Sequence, residues 1–457
     1  MYNFFKKYKI EIIIFLVALI ARSIFFYASF ISNSGDLINT IHGYDGYYEI
    51  SRNLVDNGVF SVDKEAPFSP HPLRPPLYLY YLAGILFLFN SYWFLAIINL
   101  LIGSFLPVLG YFIIKQLLPE KKIPLVVGLM LALEPFSILL SVILYTEVFF
   151  ILLFFIFLLF LFKYLDNPSL RRIIWTSVFL GLATLVKPTT QFLPIIIPFV
   201  ILWSFRKNLS KRYISHIAIF LMTFLLIISP WIYRNYTAFG KIGMTAQPAF
   251  NLYIYFAPTV LSLEKGTEYS YERDELKKRD GVVGKEINLS NSDFFIKRSL
   301  DEIKDYPVGI VKSLSISVFT FFTHDGMLTV FKHLNISVSG RFPKPVFMMF
   351  FDNPILFTKT LHSIISLPMV VIIISRISWC FITLMSFLGV FVYLWKEKYS
   401  SKILLSIFLV VYFAGTTTIN GLGVNARFRQ PVTLFIFMFA IYMLLYLKKL
   451  LFNKKIK

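Results

Sequence analysis

Three observations predict an all-α polytopic membrane protein. Only 15% of the 457 residues are charged, whereas 57% are hydrophobic and the mean hydropathy is +0.69; a soluble domain carries roughly 25% charged residues. The apolar residues come in long runs. Segment 149–162, FFILLFFIFLLFLF, has no polar residue, and runs of about 20 such residues cross a bilayer as helices. Finally, Lys and Arg gather in short clusters between the runs, as they do in cytoplasmic loops. The formal net charge of +20 is therefore read as membrane topology, not as nucleic-acid binding. Cys380 is the single cysteine, so neither an intramolecular disulfide nor a cysteine metal cluster can form.

The elements follow in order. The apolar run at 10–31 is longer than a signal-peptide core and no small-residue cleavage site follows it, so it is expected as a retained helix with Lys6, Lys7 and Lys9 inside. A polar loop at 32–75 comes next, broken by Gly35, Gly43, Gly58, Pro67, Pro70 and Pro72, and lies outside. The clusters Lys115/Lys121/Lys122, Lys163/Arg171/Arg172, Arg206/Lys207/Lys211/Arg212, Lys396/Lys398/Lys402 and the lysines from Lys448 to Lys457 are all placed inside. That map needs an odd number of crossings between 75 and 115, where two apolar segments lie, 76–90 and 92–114. The first is short and headed by Pro75 and Pro76, so it is expected to be a partial or surface-lying helix, or one limb of a bent span. Helices are then expected at 123–141, 143–162, 173–187, 192–205 and 213–232. Segments 308–323 and 355–375 are ambiguous, and 377–395, 403–420 and 432–450 are further helices, about ten to twelve in all. Three parts result: a transmembrane module at 1–232, an extracytoplasmic, partly helical insert at 233–308, and C-terminal transmembrane helices at 309–457.

The polar residues with chemical potential lie in the breaks. In GYDGYYEISRN, Asp45 and Glu49 are four apart and would share a helix face, continued by Arg52. Tyr44, Tyr47 and Tyr48 suit a membrane interface. The structural alternative is an amphipathic interfacial helix with a solvated acidic face. In HPLRPPLYLYY the two prolines fix the backbone after Arg74 and aim it at the membrane surface, where a guanidinium can hold a phosphate through two hydrogen bonds; the alternative is an Arg that merely snorkels. Glu147 in LYTEVFF lies near the outer end of a helix, where an ionisable residue is a functional candidate. Glu134 in ALEPF is a lesser one, and Lys187 in LVKPTTQ points outward on the same map. Trp231, Tyr233 and Arg234 in SPWIYRNYTAFG stand where a helix leaves the bilayer. Arg427 and Arg429 in GLGVNARFRQP fall in a short outer connection, against the positive-inside trend, and call for an anionic partner such as a phosphate. The six histidines, including the one in THDG at 323–326, show no paired metal-ligand spacing.

Taken in order, the first-loop Asp and Tyr, RPPLY, TE, KP, PWIYRN and ARFRQP resemble glycosyltransferase family 39, the GT-C-fold class of protein O-mannosyltransferases and the lipid A aminoarabinose transferase. The resemblance covers roughly 1–450. It implies a GT-C-type transmembrane bundle in the plasma membrane and a polyprenyl-phosphate-linked sugar donor used on the extracytoplasmic face. It also implies an inverting transfer to a lipid, glycan or protein hydroxyl. Asp45 matches the family's general base, Arg74 the basic residue that meets the donor phosphate, and Glu147 the acid at the outer end of the later helix. Tyr48, Glu49, Lys187, Arg234, Arg427 and Arg429 are further substrate-binding candidates. Several relatives carry a second acid directly after the Asp; this sequence has Gly46 there, so a two-acid site would need Glu49 from the next turn. No cofactor is required, and the resemblance admits a divalent metal on these acids without demanding one.

The chemistry fits independently. A carboxylate can take the proton of an attacking hydroxyl, and a lipid phosphate leaves as an anion that needs cations, not a general acid. The competing readings are a transporter or flippase of lipid-linked glycans, which would place ionisable groups at mid-bilayer, and a glycan polymerase or ligase using a lipid-diphosphate donor.

Overall fold

The computed structural model describes residues 7–43, 45–118, 120, 122–282, 286–338, 353–364, 366–397 and 400–453. Lys6, Tyr44, Lys121, Lys398, Lys454, Lys455 and Lys457, which figured in the sequence reading, lie outside them.

Every regular element among the described residues is helical. Helix α1 (Lys9–Ser32) is followed by α2 (Leu37–Ile41), α3 (Tyr47–Asp56), α4 (Pro76–Phe89), α5 (Tyr92–Leu117), α6 (Lys122–Leu133), α7 (Pro135–Val142) and α8 (Thr146–Asp166). Then come α9 (Leu170–Val186), α10 (Leu193–Ser204), α11 (Lys211–Phe239), α12 (Gln247–Asn251), α13 (Ala257–Lys265), α14 (Tyr269–Arg279) and α15 (Ser292–Ile303). The last group is α16 (Pro307–Thr323), α17 (Met327–His333), α18 (Pro354–Ile364), α19 (Leu367–Lys396), α20 (Ser401–Thr417), α21 (Ala426–Arg429) and α22 (Thr433–Asn453).

Seven of these, with α21–α22 counted as one, are long and apolar enough to cross a membrane. The α6–α7 pair, bent by 54°, has together the length and composition of one further crossing or of a re-entrant loop. The bend has a local cause. Pro135 pushes Glu134 into an extended conformation, and the Glu134 carboxylate caps α7 by accepting the Ser137 amide at 2.5 Å. The shorter α9 and α10 run between the same two ends of the bundle. α9 starts beside the Arg212–Pro168 contact and finishes with Lys187 on Glu147. α10 ends where Phe205 stacks on Tyr213 and meets Tyr164 edge-on.

The two ends differ in chemistry. At one, Lys402 bonds both Asp166 at 2.6 Å and the Gln116 carbonyl, and Lys396 lies over Tyr446. The other end carries the loop 33–75 and the insert. Helix α4 has both its ends there: Tyr78 packs against Tyr47, and just past α4 Tyr92 shares a hydroxyl hydrogen bond with Tyr48. Both ends of α4 thus lie on one side of the bundle, as the sequence map of the basic clusters needs.

The structure describes the two segments that the sequence left ambiguous and corrects one expectation. Segments 355–375 and 377–395 are not separate spans; a single 30-residue helix, α19, covers 367–396 and the short α18 precedes it. Helix α16 ends at the His324–Gly326 bend, where α17 begins, and Asn335, just past α17, donates to the Ser32 carbonyl at the end of α1. The two helices form a hairpin packed at the loop-bearing end. The correction concerns Asp45 and Glu49. Helix α3 starts only at Tyr47, behind a left-handed Gly46 (φ +75°), so the two acids do not share a helix face. That φ favours glycine over an acidic side chain at this position.

Candidate active site

Five charged residues from five chain segments meet at the loop-bearing end. Each sits at the border of an element, where side chains can leave the apolar packing. Glu147 is the second residue of α8 and has no solvent exposure. Lys187 follows α9 and precedes Pro188, which holds it extended. Its ammonium donates to Glu147 Oε1 at 2.5 Å. Arg427 lies in the first turn of α21, which Asn425 caps by accepting the Arg427 amide at 3.0 Å. The Arg427 Nε donates to the same Glu147 oxygen, and its Nη1 donates to Asp45 Oδ2 at 2.6 Å. Arg74, directly before Pro75 and Pro76, brings Nη2 to 3.7 Å from Asp45 Oδ1.

Aromatic rings hold the cations in place. The Arg427 guanidinium lies 4.2 Å over the Tyr145 ring and that of Arg74 5.1 Å over Tyr47. Tyr47 in turn meets Tyr78 edge-on at 5.3 Å. Tyr145 and Tyr78 were not singled out in the sequence, although Tyr145 stands two residues before Glu147 and Tyr78 four residues after Arg74. Gly43 explains how Asp45 gets there. A Cβ at Gly43 would come within 2.7 Å of the Tyr145 ring and 2.9 Å of the Leu144 carbonyl, so only glycine lets the loop lie this close to the α7–α8 turn. The Leu144 amide completes the seam by donating to the Ile41 carbonyl at 2.8 Å.

The cluster sets two carboxylates against three basic side chains, a formal excess of one positive charge. It also holds polar atoms without a partner. Glu147 Oε2, Thr146 Oγ1, Tyr78 Oη and Arg74 Nε are all buried and unbonded, and such groups in a native fold ask for a ligand or a water. Among the described residues, no three His, Cys, Asp or Glu side chains converge as a metal site. Asp45 and Glu147, the two acids at hand, are both engaged by cations.

The remaining sequence candidates lie apart from this cluster. Tyr48 stacks on Tyr92 and bonds its hydroxyl. Glu49 comes to 4.0 Å from His42 and pairs with neither Arg74 nor Arg427 among the described ion pairs. Arg234 is packed between Trp231, Phe60 and Phe239 and reaches the His71 carbonyl at 3.4 Å, so it braces the loop preceding Arg74. Arg429 is fully buried. It donates to the carbonyls of Phe321 and His324 at 2.7 and 2.8 Å and stacks at 3.5 Å on Trp379. It therefore fastens the α16–α17 hairpin and is turned from the phosphate role expected of it. Nearby, Glu134 accepts from Gln430 at 3.1 Å, and Asp325 pairs with Arg376 at 2.5 Å.

Comparison with known proteins places this geometry in context. No curated protein sequence matches the chain. In structure it is similar to the Archaeoglobus fulgidus oligosaccharyltransferase in the apo form (TM-score 0.49, 13% identity). It is also similar to the archaeal oligosaccharyltransferase AglB from Archaeoglobus fulgidus in complex with an inhibitory peptide and a dolichol-phosphate (TM-score 0.48, 15% identity). Each alignment covers 98% of this chain and 52% of the other, so the chain spans about half the length of these structures. In sequence, residues 73–233, the stretch that supplies Arg74, Glu147 and Lys187 to the cluster, match the family of dolichyl-phosphate-mannose-protein mannosyltransferases.

Proposed function

We propose that the protein is a GT-C-type membrane glycosyltransferase that moves a sugar from a polyprenyl-phosphate-linked donor to an acceptor hydroxyl, on the extracytoplasmic face of the plasma membrane. The observation that carries this reading is the convergence of Asp45, Arg74, Glu147, Lys187 and Arg427 at one end of the bundle. The family match over 73–233 supports it.

Each group has a task. The acceptor hydroxyl lies within reach of Asp45, which takes its proton as the oxygen attacks the sugar's anomeric carbon. The bond from that carbon to the phosphate oxygen breaks on the opposite face, and its electron pair leaves with the phosphate. The configuration inverts. Arg74 and Arg427 hold the phosphate as its charge grows, and preorganised guanidinium groups do this without a general acid. Charge balance favours a monophosphate donor. A sugar phosphodiester carries one negative charge and matches the single positive excess of the cluster. When the reaction ends, the phosphate has gained a charge and Asp45 has lost one, so the total is unchanged. A lipid diphosphate would bring one charge too many.

Asp45→Asn keeps the shape and removes the base. Turnover of a labelled polyprenyl-phosphate sugar into membrane acceptor should fall by about 10² to 10⁴, with protein level and thermal stability retained. Transfer at the wild-type rate would rule Asp45 out as the base. Mass spectrometry of envelope glycans from cells with and without the protein would name the sugar and the acceptor.

A further inference from the structure

Arg427 offers two edges to two carboxylates that differ in kind. Its Nε donates to Glu147, which is fully buried and also binds Lys187 at 2.5 Å. Moving Glu147 would strand two cations in a buried setting, a costly rearrangement. Its Nη1 donates to Asp45, whose side chain is 24% exposed and sits in the loop ahead of α3, next to the left-handed Gly46. Asp45 also lies 3.7 Å from Arg74, whose Nε is unbonded. One carboxylate is fixed, the other free to exchange.

We propose that Asp45 and the phosphate of a polyprenyl phosphate compete for the same edge of Arg427 and Arg74, while Glu147 stays in place as the anchor that keeps Arg427 aimed. This rests on the glycosyltransferase reading and adds an order of events to it. Asp45 Oδ2 accepts from Arg427 and Oδ1 faces Arg74, so both carboxylate oxygens are already engaged when an acceptor hydroxyl arrives. When the phosphate draws Arg427 and Arg74 to itself, Asp45 is released and becomes able to take a proton. The base is thus switched on by the donor, and an acceptor hydroxyl is not activated before the sugar is in position. Glu147 is a positioning residue: it acts on the phosphate through Arg427.

The two acids then have opposite effects on anion binding, although each carries one negative charge. The probe is farnesyl phosphate, which has no sugar, titrated calorimetrically into the full-length protein in detergent. Asp45→Asn removes the competitor and should bind about two- to fivefold more tightly than wild type, the worth of a partly exposed ion pair. Glu147→Gln removes the anchor and should bind about tenfold or more weakly, the worth of a hydrogen bond to a charged group. Glu147→Asp, which keeps the charge, should recover part of the loss. Inorganic phosphate should follow the same order at much lower affinity; equal affinity for it would overturn the lipid as the source of the anion. If Glu147→Gln binds as well as a wild type that binds, the anchor is wrong while the glycosyltransferase reading stands. If wild type binds no farnesyl phosphate, both fall. Should Glu147→Gln not fold, Asp45→Asn decides alone, and weaker binding by that variant overturns the exchange.

Discussion

Arg427 and Arg429 are two residues apart in one short helix and do different things. Arg427 faces two carboxylates, with 18% of its side chain exposed. Arg429 faces carbonyls and an indole ring and is sealed from solvent. On a helix a step of two residues turns the side chain to the opposite face, so the second arginine points into the bundle. Substitutions should separate the roles. Arg427→Lys keeps the charge but loses the planar fork that bridges Asp45 and Glu147, and should lower kcat/KM by about tenfold or more. Arg429→Met leaves two carbonyls without their donor and should cost about 3 kcal/mol of stability. It would be read as a lower unfolding temperature, with the donor KM of the folded enzyme unchanged. A raised KM without loss of stability would return Arg429 to the binding site.

At the level of elements, function collects at breaks. Prolines follow Arg74, Glu134 and Lys187, and each keeps the preceding residue out of helical geometry. The turn between α7 and α8 is the seat of the cluster, because Tyr145 and Glu147 flank it and the first loop is pressed against it. Gly43→Val should therefore act at a distance. The added carbons collide with Tyr145 and with the Leu144 carbonyl, which is backbone and cannot rotate away. Displacing Asp45 by even about 1 Å is expected to cost up to about a hundredfold in activity. Gly43→Ala should show a smaller loss of the same kind. Full activity in Gly43→Val at wild-type protein level would show that the loop is not seated as described.

For the whole molecule, the packing of loop 57–75 against α11 makes stability depend on pH. His71 is held down to about 4, first by burial and then by the positive charges of Arg74 and Arg234; its ordinary value is 6.5. Between these values the unfolded chain binds a proton that the folded protein refuses. Stability therefore falls as the pH drops from 6.5 toward 4, by at most about 3 kcal/mol from this group, and is level above 6.5. Thermal unfolding in detergent should show this slope, and His71→Gln should flatten it. An unchanged slope in that variant would remove His71 as its source.

Much of this was legible in the sequence for a physical reason. Crossing a bilayer demands long apolar runs whose backbone is satisfied internally, and that demand is local, so α1, α5, α8 and α11 could be read directly from the letters. Asp45, Arg74, Glu147, Lys187 and Arg427 were visible too, since charged residues at the edges of such runs are expensive to keep. Which of them meet was not visible. Glu49 and Arg429 carry the same charges as Asp45 and Arg427 and lie within four residues of them, yet one faces His42 and the other is turned inward to the hairpin. That choice depends on the start of α3 behind Gly46, the close fit of Gly43 on Tyr145, and the return of α17 to the end of α1. These are contacts between segments up to hundreds of residues apart. The sequence by itself determined that the chain is a helical membrane protein with misplaced charges at its breaks. Only the tertiary structure decided which charges form one site, because ion pairing needs positions in space and a linear pattern supplies only spacing along one element at a time.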